Sequence, residues 1–251
     1  MLGTASICEA QSTASQPAQV TIPKPTPFAI TVQDANSRVW QRNYFQSSPF
    51  GGIVTNTHSY TELASGLNHL VNGKWIESKE WIDILPNGTA VATNGQISAF
   101  FPGNLYQGQI ELVTPDGKHL KSRPMGLSYF DGTNSVLIAE LTNSIGVVVG
   151  NNQVVYQNAF TDFKVDLRYT YTKAGFEQDV ILRQQPPTPE SLGLNPDTTR
   201  LQMLTEFFSP PQPAIQTTEL PVQAGLSLND QTLDFGAVEI VPGKAYLLRL
   251  A

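Results

Sequence analysis

NAFTDFKVDLRYTYTKAGFEQDVILR, residues 158–183, decides the fold class. Val165, Leu167, Tyr169 and Tyr171 alternate with Asp166, Arg168 and Thr170, the period-two pattern of a half-buried strand. Lys173-Ala174-Gly175 is a tight turn, and Phe176 to Leu182 returns as a second strand. One face of this hairpin belongs to a core. The other is expected to carry Asp166, Arg168, Glu177 and Asp179 in solvent, with Arg168 near Glu177 or Asp179 as a cross-strand ion pair.

The same grammar extends outward. Asn72-Gly73, Asn87-Gly88, Asn94-Gly95, Asp116-Gly117 and Asp131-Gly132 separate short runs rich in Val, Ile, Tyr, Phe and Thr. Such pairs tolerate the positive φ of tight hairpin turns. Hairpins are expected around Pro86-Asn87-Gly88 and Thr114-Pro115-Asp116-Gly117, with strands at 28–32, 136–141, 145–149, 154–156, 199–208, 233–240 and 245–250. The only helical candidate is Pro189 to Leu194, a turn or two. The expectation is an all-β chain, a large hairpin-rich antiparallel β-sandwich with very little helix.

Residues 1–27 are rich in Ala, Ser, Thr, Gln and Pro and read as a disordered linker or a truncated signal-peptide remnant. Cys8 is the single cysteine, so no intrachain disulfide forms. Residues 28–251 read as one sandwich module. The chain stops inside the apolar run Leu248-Arg249-Leu250-Ala251, which suggests the N-terminal part of a longer protein. The Pro-rich stretch 184–189 reads as a loop within one sheet.

Charged residues make up only 14% of the 251, and the net charge is −6 without a basic cluster. A phosphate-tracking surface is not expected, so nucleic acid is excluded as a partner. No apolar run approaches the roughly 18 residues that span a bilayer.

Chemistry-bearing patterns are sparse. His58, His69 and His119 lack the spacing of convergent metal ligands. Ser65-Gly66 and Gly126-Leu127-Ser128 lack a nucleophile-elbow pattern. Asp162, Asp166, Glu177 and Asp179 are the carboxylates weighed for a sugar-cleaving pair, and a structural role is favoured for them. Trp40, Trp75 and Trp81 are weighed as a sugar-stacking platform, with core anchoring preferred for Trp75 and Trp81. Asn87-Gly88-Thr89 forms a glycosylation sequon inside a turn. No catalytic, cofactor-binding or metal-ligating residue is assigned.

Gly66-Leu-Asn-His-Leu-Val-Asn-Gly-Lys-Trp75, Val165-Asp-Leu-Arg-Tyr-Thr170 and Gly175-Phe-Glu-Gln-Asp-Val-Ile-Leu182, in that order, resemble the N-terminal β-rich regions of very large secreted bacterial surface proteins, many of them associated with rearrangement-hotspot (YD) repeats. Tyr60 to Gly66, Ala159 to Lys164 and Pro187 to Pro196 share in the likeness, which runs from about Val39 onward. YD repeats themselves are absent from the chain. The resemblance implies a secreted or cell-surface location and supplies no catalytic residues. The functional expectation is a non-enzymatic structural or interaction module. Its partners would be downstream modules of the same polypeptide and a protein or glycan ligand. The alternative is a carbohydrate-binding or glycan-cleaving β-sandwich.

Overall fold

The computed structural model describes residues 21–220 and 229–246. The expectations for the N-terminal linker up to residue 20, Cys8 and the chain's last residues fall outside that range. Where the sequence suggests one module over 28–251, the chain divides into two compact units. The first holds the residues up to Val32 together with Arg38–Glu62, and the second holds Gln33–Ser37 and everything from Leu63.

The first unit is a three-stranded sheet in the order β1 (Ala29–Gln33), β2 (Ser37–Ser47), β3 (Ile53–Leu63). β2 and β3 are 11 residues each. Their turn closes through Ser48 N–H to the Gly52 carbonyl at 3.0 Å and Gly51 N–H to the Ser48 carbonyl at 3.1 Å. Gly51 and Gly52 have φ of +89° and +86°, a region in which a side chain would be strained.

The second unit carries the core. β4 (Asn68–Val71) and β5 (Lys74–Glu77) form a hairpin whose turn, Asn72-Gly73, has φ of +49° and +76°, as the Asn-Gly signal requires. A seven-stranded sheet follows from β6 (Asp83–Ile84), β7 (Ala90–Ala92), β8 (Ser98–Phe101), β9 (Ile110–Val113), β10 (His119–Phe130) and β11 (Ser135–Glu140). β12 (Gly146–Val149), β13 (Gln153–Tyr156), β14 (Val165–Thr172) and β15 (Gly175–Leu182) form a four-stranded antiparallel meander. After a single 3-10 turn at Pro189–Leu192, β16 (Arg200–Phe208) returns to complete the larger sheet by pairing with β10 from Lys121↔Phe208 to Phe130↔Arg200. The stretch 184–189, expected to loop within one sheet, instead crosses from the four-stranded meander to the seven-stranded sheet, inside one unit. β17 (Ala214–Glu219), β18 (Asn229–Asp234) and β19 (Glu239–Ile240) make a last small sheet. The single strand expected over 233–240 is broken, because the chain reverses at Gly236, where φ is +93° and Phe235 N–H reaches the Val238 carbonyl. The fold is all-β, and its helical content among the described residues is that one 3-10 turn.

The two larger sheets face each other across one core. Phe101 and Leu127 come from one sheet, and Val154, Tyr156, Val165, Leu167 and Tyr169 from the other, all at most 1% exposed. Burying each such side chain contributes about 1.5–3 kcal/mol. The alternation read at 165–171 thus describes the meander's inner face. Phe101 lies 5.8 Å from Tyr169 and 5.9 Å from Phe176, ring centroid to centroid. Tyr156 Oη donates to the Pro102 carbonyl at 2.6 Å and Tyr171 Oη to the Ile97 carbonyl at 2.8 Å, so two phenols tie the sheets together. Tyr129 Oη donates to the Pro187 carbonyl at 2.9 Å and pins the Pro-rich link.

Tyr169 differs from its neighbours. Its hydroxyl is buried and has no hydrogen-bond partner. Removing an unsatisfied buried hydroxyl relieves a desolvation cost, whereas removing a satisfied one loses a bond and leaves its carbonyl bare. Tyr169→Phe is therefore expected to hold or raise stability by up to about 1 kcal/mol, and Tyr156→Phe and Tyr171→Phe to lower it by about 1 kcal/mol each. Urea unfolding of the three variants checks this ordering.

Burial raises the phenol of Tyr171 to about 12, with the Glu80 carboxylate adding to the shift. Desolvation raises Tyr156, and desolvation with Tyr156 beside it raises Tyr169. Because the folded values lie above the unfolded one near 10, the stabilisation is complete below about pH 10 and drains away above it as the unfolded chain ionises. The melting temperature is expected to be flat from pH 7 to 9 and to fall steeply between about pH 10 and 12, as scanning calorimetry would record.

Candidate functional site

Among the described residues of the first unit, Arg38 alone is buried. Its sheet instead shows two contrasting faces. On one, Trp40 Nε1 donates to Glu62 Oε2 at 2.9 Å, the Tyr44 and His58 rings meet at 4.3 Å, and Asn56 Nδ2 donates to Gln46 Oε1 at 3.3 Å. The backbone bonds from Ser48 N–H to the Gly52 carbonyl and from Ala64 N–H to the Asn36 carbonyl set the register, with residue 40 opposite 60 and 44 opposite 56, so these three side-chain contacts run diagonally between the strands. Tyr60 stands opposite Trp40 and nearly parallel to it, at 13° and 6.2 Å, and forms a T-shaped pair with Phe28 at 5.1 Å. The Arg42 guanidinium sits 4.7 Å over the Phe28 ring, and its buried Nε has no hydrogen-bond partner. Arg38 Nη1 lies 3.6 Å from Glu62. The result is a ladder of five rings with polar groups between them. Phe28 and Tyr60 are 36% and 50% exposed. By strand alternation the opposite face carries Thr31, Thr55, Thr57, Ser59 and Thr61 together with Val39, Phe45 and Ile53. At the β2–β3 turn Phe50 is 99% exposed.

The sequence reading missed this ladder apart from Trp40. Its signal was present in the alternation Trp40, Arg42, Tyr44 and His58, Tyr60, Glu62 on either side of Pro49-Phe50-Gly51-Gly52, but few of these positions are aliphatic.

The expected core anchoring of the tryptophans is corrected. Trp81 is 45% exposed, and its Nε1 donates to Asp83 Oδ1 at 2.8 Å, which holds the indole outward. Trp75 is half-buried on a two-stranded hairpin opposite Leu70, which is itself 58% exposed. A two-stranded ribbon has no second layer under it to receive an indole.

The four weighed carboxylates do not converge. Asp166 departs from its expected place in solvent and is 5% exposed. Its Oδ1 accepts from Asn158 N–H at 2.9 Å and its Oδ2 from Arg183 Nε at 2.9 Å. It therefore braces the start of the 158–163 loop, where Asn158 has φ +48°. Asp179 pairs with Arg168 at 3.0 Å, as the hairpin register required, and Glu177 stands exposed opposite Thr170. Asp162, at φ +66°, accepts from Thr161 Oγ1 and lines an open cleft of about 760 Å³ with Leu137, Ile138, Glu140, Gln184 and Pro187. Thr161 also bonds both backbone groups of Glu140. The one aromatic ring lining this cleft, Phe163, is only 6% exposed and belongs to the core, so the two carboxylates stand there without an open ring for a sugar to stack on.

The histidines are dispersed. His58 packs on Tyr44, His69 Nδ1 lies 3.5 Å from Ser78 Oγ, and His119 Nδ1 lies 2.6 Å from Glu111 Oε1. Among the described residues no three His, Cys, Asp or Glu side chains gather as metal ligands. Ser128 is buried, and its Oγ has no hydrogen-bond partner. No helix is long and apolar enough to cross a membrane among the described residues. No family model, curated protein or solved structure matches the chain.

Proposed function

We propose that the chain is a non-enzymatic interaction module of a secreted or cell-surface protein, with the sandwich as scaffold and the three-stranded sheet as contact surface. The observation that carries this reading is the first unit itself. A sheet with two 11-residue strands buries only Arg38 among its described residues while offering five rings and a fully exposed Phe50. Clustered exposed apolar surface of this kind marks interaction sites. Its partners are proposed to be downstream modules of the same polypeptide and a protein or glycan ligand. The likeness of 66–75, 165–170 and 175–182 to N-terminal regions of large secreted bacterial surface proteins supports the extracellular assignment.

The near-parallel Trp40 and Tyr60 favour a glycan as one such ligand, because sugar C–H faces stack on open rings while Glu62, Gln46 and Asn56 offer hydrogen bonds at the rim. A glycan array with the full chain tests this, together with product analysis of the glycans that bind. Binding that falls at least tenfold in Trp40→Ala and Tyr60→Ala, with unchanged glycan products, is expected. Turnover abolished by Asp162→Asn or Glu140→Gln would overturn the non-enzymatic reading.

A further inference from the structure

β3 is an edge strand, with β2 on one side and no strand of the described residues on the other. Proteins usually guard such an edge with lysines, prolines, bulges or brevity. β3 has none of these. It runs 11 residues, Ile-Val-Thr-Asn-Thr-His-Ser-Tyr-Thr-Glu-Leu, and from Ile53 to Thr61 its one ionisable group besides the Tyr60 phenol is His58. An open row of backbone donors and acceptors with uncharged, β-branched side chains is a template for another strand.

We infer that the incoming strand is the β3 of a second copy, paired antiparallel about a two-fold axis through Thr57. This rests on the reading of the sheet as a contact surface. The side chains of β3 select both the partner and the direction. Its apolar residues lie at opposite ends, Ile53 and Val54 at one and Tyr60 and Leu63 at the other, and these four are 41%, 45%, 50% and 75% exposed. Antiparallel pairing about Thr57 sets Val54 opposite Tyr60, Thr55 opposite Ser59 and Asn56 opposite His58. An aromatic ring then covers a β-branched side chain twice, and hydroxyls meet hydroxyls, the favoured kinds of cross-strand pair. Glu62 falls opposite Gly52, so no like charges oppose each other. A parallel arrangement in register would stack His58 on His58 and Glu62 on Glu62. Two-fold pairing also satisfies both open edges in one contact and joins the two ring-bearing faces into one six-stranded sheet, the usual closed symmetry of homo-oligomers.

Sedimentation velocity of the full chain over a concentration series is expected to show a monomer–dimer equilibrium, and Thr57→Lys, which sets two ammonium groups against each other at the axis, is expected to return it to monomer with an unchanged far-ultraviolet circular dichroism spectrum. Directly opposed residues lie within disulfide reach. In a Cys8→Ser background, mild oxidation should therefore link a Val54→Cys chain to a Tyr60→Cys chain and leave each alone unlinked. A chain that stays monomeric, a dimer that survives Thr57→Lys, or self-linking of either cysteine variant would overturn the inference. Glycan binding that persists in Thr57→Lys would separate a failed dimer from a failed contact surface.

Discussion

Phe101→Ala is expected to lower the stability of the second unit by about 3–5 kcal/mol. The ring is fully buried on β8, and it meets Tyr169 and Phe176 on the facing meander at 5.8 and 5.9 Å. Truncation removes transfer energy and opens a cavity between two sheets whose strands cannot collapse independently. Phe100, one residue earlier, points to the other face of the same strand and is only half-buried, so Phe100→Ala should cost clearly less. Denaturant midpoints of the two variants separate a specific sheet-on-sheet core from general loss of apolar surface. A Phe101→Ala, Phe176→Ala double-mutant cycle should return a coupling of about 0.5–1.5 kcal/mol. Equal costs for Phe100 and Phe101, or no coupling, would mean that the sheets do not pack as described.

Gly66→Ala is expected to cost about 2–5 kcal/mol, combining the left-handed conformation with overpacking. Gly66 has φ +72°, and a Cβ placed on it would fall 1.7 Å from the Lys173 carbonyl oxygen at the β14–β15 turn. That oxygen belongs to the backbone and cannot swing aside as a side chain would. Gly66 N–H also donates to Asn36 Oδ1 at 2.8 Å, in a clasp where Gln96 Nε2 reaches the Ala35 carbonyl at 2.8 Å. Gly73→Ala provides the comparison. Its φ is +76° with nothing within 4 Å of the added atom, so it carries the conformational cost alone, about 1–2 kcal/mol. The difference between the two midpoints measures the steric contact between the 66 and 173 turns.

Local turn chemistry made much of the second unit legible in the sequence. Asn72-Gly73, Asp116-Gly117 and Asp131-Gly132 each close a hairpin where expected, because a positive φ is a property of the residue at the turn. The inner face of β14 was equally readable, since four large apolar residues at period two have one place to go. The hairpin's own turn was read correctly but closes by other means. Neither Lys173 nor Ala174 has positive φ, and Thr172 Oγ1 instead accepts from Gly175 N–H at 3.1 Å. What stayed hidden depended on distant partners. Asp166 looks like a solvent-face residue from its neighbours. Its burial follows from Asn158 and Arg183, 8 and 17 residues away, closing over it. β2, β3 and β17 escaped because neither face is aliphatic, and a strand that buries little leaves a weak hydrophobic alternation to read. The contact surface proposed for this chain is built from the first two of those strands, β2 and β3.

Hydrogen–deuterium exchange of the full chain at low and high protein concentration tests the central claim most directly. Slowed exchange confined to Ile53–Leu63 at high concentration is the result predicted, with the equally exposed β17, Ala214–Glu219, unchanged. Protection that appears on β17 or on the outer face of the β12–β15 meander, while β3 exchanges alike at both concentrations, would contradict the assignment of the three-stranded sheet as the surface through which this protein makes its contacts.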